Sequence, residues 1–346
     1  MKHFFLGLLL FVVSPVTIRA QSSDGPVEHM NYLNQLEENL SKKYLSYMSE
    51  VAHGRSARKM EKRRSEVLAS ITQAIYEAGK VRPYKGDASL RDAYKTYCGV
   101  LLSVFKEDYH KIVDMEEVAE QSYDDMELYL LTQEKAKEKL KEAYNKVGMT
   151  YEAFALKHHV RLGEGQSSKL SQRLDEAGKV NSYMNQVYLL FFKSNVQEGL
   201  MFQAMTKNDV NGVEQGKNSL LKFSTEGLQR LDTLKPFKGD GSLIAACRKV
   251  LEFQKNEAEN KASYLTDFQM KKDEFEKIKK SFDTKSAKSR TQADVDAYNK
   301  AVNDYNQAVN DYNKTSEELN MSREKVINNW EAARKKFLDL HVPYKL

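Results

Sequence analysis

Apolar positions recur at three- and four-residue steps along most of this chain, and no stretch alternates with a period of two. Met30, Leu33, Leu36, Leu40, Tyr44, Tyr47 and Val51 form one such stripe, which predicts a helix over about 27–53 ended by Gly54. Met60, Val67, Leu68, Ile71 and Ile75 predict a second over 56–78, with Gly79 as its stop. A third starts near Ser89 and carries Leu90, Tyr94, Tyr97, Leu101, Phe105 and Ile112. A fourth covers 122–147 with Met126, Tyr129, Ala136, Leu140 and Ala143, and a short helical piece over 151–158 follows it. Residues 163–168, Gly-Glu-Gly-Gln-Ser-Ser, read as a linker. The second half repeats the plan with helices over 169–207 and 210–234, a turn, and two very long helices. The chain has five prolines, each at an edge, so long uninterrupted helices are permitted.

Late in the chain the pattern tightens to a heptad. Val295, Tyr298, Val302, Tyr305, Val309, Tyr312, Ser316 and Leu319 step by alternating threes and fours, which makes a coiled-coil seam. Upstream, Tyr264, Phe268, Lys271, Phe275, Ile278 and Phe282 step in the same way, and a polar stretch over 283–291 separates the two. An antiparallel hairpin whose arms zip together is expected over about 261–319.

Three marks recur in order. Pro83-Tyr84-Lys85-Gly86-Asp87-Ala88-Ser89-Leu90 returns 153 residues on as Pro236-Phe237-Lys238-Gly239-Asp240-Gly241-Ser242-Leu243. Tyr32-Leu33-Asn34-Gln35 returns as Tyr183-Met184-Asn185-Gln186, and Phe154 with His159-Val160 returns as Phe337 with His341-Val342. One fold built twice is the expectation: an all-α chain of two tandem antiparallel helical bundles, 21–162 and 163–346, the second with a projecting coiled-coil hairpin.

Composition adds a compartment. Lys2 and His3, the apolar run from Phe4 to Val13, and Ser14 to Ala20 match a secretory signal peptide over residues 1–20, and ten apolar residues are too few to span a bilayer. No later stretch reaches membrane length. Export is therefore expected, to the periplasm, the cell surface or the medium. Losing Lys2 and Arg19 lowers the formal charge from +5 to +3, too mild to demand an acidic partner. Charged residues make up 30% of the chain, which suits long solvated helices better than a thick core. Cys98 and Cys247 could pair in an oxidising compartment or remain two buried thiols.

Candidate chemistry is sparse. No nucleophile motif, zinc spacing or phosphate loop appears, so no catalytic residue, cofactor or metal is expected and the chain is read as non-enzymatic. The repeated corner holds residues that cap and turn helices, with an anion cradle as the functional alternative. Glu50 to His53 and Glu107 to His110 are Glu-x-x-His strings of the kind that serve di-iron sites, but each His falls off the apolar stripe. His158, His159 and His341 read as packing at the ends of the halves. Val187-Tyr188-Leu189-Leu190-Phe191-Phe192 is too apolar to face one core; packing between the halves is expected, with a partner groove as the alternative. Arg55, Arg58, Lys59, Lys62, Arg63 and Arg64 form a basic run, either a solvated helix face or an anion patch for a polyanion.

The leader, the helical duplication and the twin Pro-aromatic-Lys-Gly-Asp corner together resemble a family of exported all-helical bacterial surface proteins of Bacteroidetes and spirochaetes. The resemblance implies export and a helical fold, and brings no activity and no site residues. The expected role is contact with an unknown protein or a cell-surface polyanion, with nucleic acid disfavoured. The alternative is a carrier holding an apolar or anionic small ligand between bundle helices.

Overall fold

A computed structural model describes residues 25–53, 57–108, 123–162 and 169–342. The leader, Arg55, His110, Ile112 and the 163–168 linker lie outside the described residues. The described chain is all-α. Its helices are α1 (Pro26–His53), α2 (Ala57–Lys80), α3 (Ser89–Ser103), α4 (Tyr123–Lys157), α5 (Lys169–Thr206), α6 (Val210–Thr233), α7 (Ser242–Asn256), α8 (Ser263–Thr284) and α9 (Gln292–His341). Among the described residues no helix is long and apolar enough to cross a membrane.

The described residues fall into two compact units, those between 25 and 185 together with 335–342 in one and 186–334 in the other. Residues 169–185 and 335–342, which the sequence reading gave to the second bundle, thus belong with the first unit. Their side chains say why: Ser182 accepts from Lys137 at 3.0 Å, and Asp339 meets His53 at 2.9 Å.

In the first unit, cross-helix contacts fix the directions. Tyr32 reaches Glu77 and Lys43 reaches Glu66, so α1 and α2 are antiparallel. Glu37 meets Tyr97 and Tyr44 meets Phe105, so α1 and α3 run parallel. His29 stacks on Phe154 and Asn34 bonds Tyr151, so α4 returns antiparallel to α1. This is an up-down-up-down bundle. The second unit repeats it. α5 and α6 are antiparallel through Lys193–Glu226 and the close approach of Gly216 to Met201. α5 and α7 are parallel through Val187–Cys247 and Glu198–Gln254. α9 runs antiparallel to α5 through Phe191–Trp330 and Glu198–Arg323.

The duplication is helix for helix. α2 and α6 each have 24 residues, and α3 and α7 each have 15. Each second copy starts 153 residues after the first. Both third helices run on into a five-residue π turn at the same offset, Val104–Asp108 and Glu257–Lys261. The C-terminal mark pairs differently from the sequence match. His158, not His159, is the counterpart of His341: Phe154 and His158 lie 4.4 Å apart at 52°, Phe337 and His341 4.6 Å apart at 53°. Both pairs are one helical turn apart, which the 182-residue match missed.

Two further expectations change. Helix α4 is continuous from Tyr123 to Lys157, because Gly148 adopts helical backbone and costs too little to stop a 35-residue helix. The first of the two long late helices is broken by the π turn into α7 and α8, whereas α9 runs 50 residues without interruption. The apolar run Val187 to Phe192 packs within the second unit: Phe191 lies on Trp330, and Tyr188 stacks with Phe192 and lies under Arg334.

The hairpin arms pair along the expected seam. Tyr264 and Phe268 meet Tyr312 at 5.5 and 4.6 Å, Phe275 meets Tyr305 at 5.0 Å, and Phe282 meets Tyr298 at 4.5 Å. None of residues 270–300 is buried. Beyond α8's first turns the arms therefore hold each other by aromatic stacking and contribute nothing to the bundle core.

Candidate functional site

The twin corners are capping devices. Lys85 and Lys238 take φ of 48° and 52°, and Gly86 and Gly239 follow at 83° and 86°. The Asp after each glycine caps the next helix: Asp87 Oδ1 accepts from Ser89 N at 2.9 Å, and Asp240 Oδ1 from Ser242 N at 2.8 Å. In the first corner Asp87 Oδ2 also receives Lys157 at 2.7 Å and His158 Nε2 at 3.0 Å. The Lys157 and Ser89 bonds hold its carboxyl well below the usual range. With its anionic charge already met by a cation and by the helix start, the corner has no vacancy for an external anion. His158 is further enclosed by Tyr84 and Phe154.

Of the two histidine strings, only the one ending at His53 lies wholly within the described residues. His53 bonds Asp339 through Nδ1 and the Val342 carbonyl through Nε2, both at about 3 Å, so its ring nitrogens are occupied by the chain's own C-terminal turn. Among the described residues no group of three metal-ligating side chains converges. Cys98 and Cys247 are free and buried. Burial raises both thiols, Cys247 to about 12, so neither is a thiolate nucleophile.

The basic run divides. Arg58, Lys59 and Lys62 on α2 are exposed. Arg63 bonds Glu66 at 2.8 Å, and Arg64 bonds Glu61 at 2.7 Å while its side chain lies largely buried and reaches toward the Phe105 carbonyl. Of the five described cations, three face solvent together and two are tied to carboxylates one turn away.

Two further polar centres are buried. On α1, Glu37 is 5% exposed and accepts from Ser41 and Tyr97 at 3.3 and 3.4 Å. Among the described residues no cation pairs with it, and burial lifts it to about 7. It lines a cavity of about 20 Å³ with Tyr94, Tyr97, Tyr144 and Tyr151, room for one water. In the second unit Arg323 bridges two buried carboxylates, Glu198 at 2.6 Å and Glu257 at 2.5 Å, and Gln254 donates to Glu198 at 3.0 Å. Glu257 opens the second π turn. Burial, then the neighbouring Glu198, raise its pKa. Glu37 interrupts a stripe at a position one residue past Leu36, and Arg323 lies 125 residues from Glu198; only folding brings that pair together.

A further charged feature lies at the hairpin tip. Residues 277–291 carry Lys277, Lys279, Lys280, Lys285, Lys288 and Arg290 against Asp283 alone. Its first part, 277–282, carries the seam residues Ile278 and Phe282, and only 283–291 separates the two seams.

Comparisons with protein-family models, with curated proteins and with solved structures find no match to this chain.

Proposed function

We propose that this is an exported, non-enzymatic contact protein whose two helical bundles form a scaffold for a coiled-coil hairpin. The observation that carries the reading is the hairpin itself. Some thirty residues, 270–300, bury no side chain, yet are held in order by successive aromatic stacks and a capped turn. A segment that gives nothing to the core and is nonetheless rigid is suited to touching something else. The carrier alternative is less well supported: the tyrosine-lined cavity holds only one water beside a carboxyl group, and the larger clefts, about 390 Å³ between the hairpin arms and about 440 Å³ beside α6 and α7, open to solvent.

Native mass spectrometry of protein taken from the cell that makes it tests the reading, comparing the parent with a variant lacking 272–305. A macromolecular adduct on the parent that disappears with the hairpin is the expected result. A stoichiometric small molecule retained by both forms would overturn it in favour of a carrier.

A further inference from the structure

We infer that the hairpin tip docks end-on to an anionic lipid surface. This rests on the contact reading above and names the partner of that same hairpin. The charge along the hairpin is strongly polarised. With Phe282 stacked on Tyr298 and Phe275 on Tyr305, the tip comprises 277–303 and has seven cations against Asp283, Asp294 and Asp296, a formal charge of +4, while the stem, 263–276 with 304–319, has eight carboxylates against three lysines, a charge of −5. An anionic polymer lying along the arms would meet the acidic stem and be repelled. An anionic plane met by the end of the hairpin sees the cations first.

The tip is built to present those cations. α9 opens with a reciprocal cap: Thr291 N donates to Asp294 Oδ2 at 2.9 Å, and Asp294 N donates to Thr291 Oγ1 at 3.2 Å. Lys285 pairs with Asp294, and Arg290 lies 4.1 Å over the Phe282 ring while donating to its carbonyl at 3.1 Å. The turn is thereby locked to both arms. Lys277, Lys279, Lys280 and Lys288 are exposed and form no ion pair among the described residues.

Lys277, Lys279 and Lys280 point in three directions around α8, at about 0°, 200° and 300° for 100° per residue. A groove or a linear polymer on one side could engage only some of them. All lie within about 10 Å of the helix end at 1.5 Å per residue, about one Debye length at physiological salt, so a plane facing the tip feels every one. Phe282 is covered by Arg290 and Tyr298, so no free aromatic face is offered for base stacking, and nucleic acid is the poorer fit. No large apolar side chain is exposed over 277–291, so the association is peripheral, reversible and salt-sensitive, without insertion.

The test is co-sedimentation of the purified protein with phosphatidylcholine vesicles containing 30% phosphatidylglycerol and with pure phosphatidylcholine vesicles. The parent should sediment only with the anionic vesicles and lose at least tenfold in binding between low and high salt. Lys279→Glu/Lys280→Glu/Lys288→Glu should weaken that binding more than tenfold with unchanged circular dichroism and melting. The reversal Arg58→Glu/Lys59→Glu/Lys62→Glu should leave vesicle binding as in the parent. Failure of the parent to bind anionic vesicles, or equal binding by the tip variant, overturns the inference. So does loss of heparin or oligonucleotide retention in the tip variant without vesicle binding by the parent. None of these results removes the contact reading, which falls only with the adduct experiment on the hairpin-deleted protein.

Discussion

Glu37 is the residue whose environment departs furthest from its chemistry. It is a carboxyl group walled by tyrosines, with hydroxyl donors and no cation paired with it among the described residues. Its ordinary value of 4.5 rises to about 7 through burial. The folded protein therefore binds a proton that the unfolded chain has released, and folding stability falls as pH rises from about 4.5 to about 7, then levels off. The full effect is of the order of 3 kcal/mol at 1.36 kcal/mol per pKa unit. Glu37→Gln should match the parent at pH 5 and melt higher than the parent at pH 8; equal melting at both pH values would show that the carboxyl is hydrated. Arg323 is the opposite case, a cation that keeps two buried carboxylates from standing alone. Arg323→Leu should cost about 3–5 kcal/mol in urea unfolding with an unchanged m-value, because removing one partner leaves buried charge uncompensated. Glu37 stands four residues after Leu33 and three before Leu40, in the register of the apolar stripe, so its burial was legible in the sequence, while its tyrosine walls and the Arg323 centre depend on neighbours distant in the chain.

The corner is a small element with a sharp requirement. Positive φ at Gly86 and Gly239 is open to glycine at no steric cost, and a Cβ at either site would meet no neighbour within 4 Å. Gly86→Ala and Gly239→Ala should thus each cost about 1 kcal/mol from backbone strain alone, and by similar amounts. Unequal losses in thermal unfolding would show that the two corners are not energetically equivalent. The hairpin is the larger element. Its seam stacks Phe275 on Tyr305, so a cut at 272 and 305 removes both arms from about the same level. Removing 272–305 and closing the gap with a short glycine-serine link should leave one cooperative melting transition close to the parent's. Deleting only one arm, 283–319, should instead expose Tyr264, Phe268 and Phe275 and cause aggregation, read by light scattering. A broad, non-cooperative melt of the two-arm deletion would place the hairpin in the core.

At the scale of the whole molecule the basic run, read as either a solvated face or an anion patch, divides among its described cations. Arg58, Lys59 and Lys62 face solvent, while Arg63 and Arg64 serve Glu66 and Glu61. Arg58→Glu/Lys59→Glu/Lys62→Glu should leave melting nearly unchanged, since exposed charges contribute about 0–1 kcal/mol each. It should abolish whatever heparin retention the parent shows at low salt, whereas the tip variant keeps it. If the parent passes heparin unretained at low ionic strength, these cations are an ordinary solvated face.

Local pattern carried most of the architecture. Three- and four-residue spacing placed the helices, and the heptad named the seam residues that now stack, Phe275 on Tyr305 and Phe282 on Tyr298, because each helix shows its buried face as a period in the sequence. The Pro-aromatic-Lys-Gly-Asp recurrence announced the duplication, because a positive-φ glycine and a capping aspartate are demands of single residues. What the tertiary structure decided is whatever depends on neighbours distant in the chain. The enclosure of Glu37 among tyrosines and the capture of Glu198 and Glu257 by Arg323 follow from packing. Periodicity reports which side of a helix is apolar; it does not report which polar atoms the facing helices bring to that side.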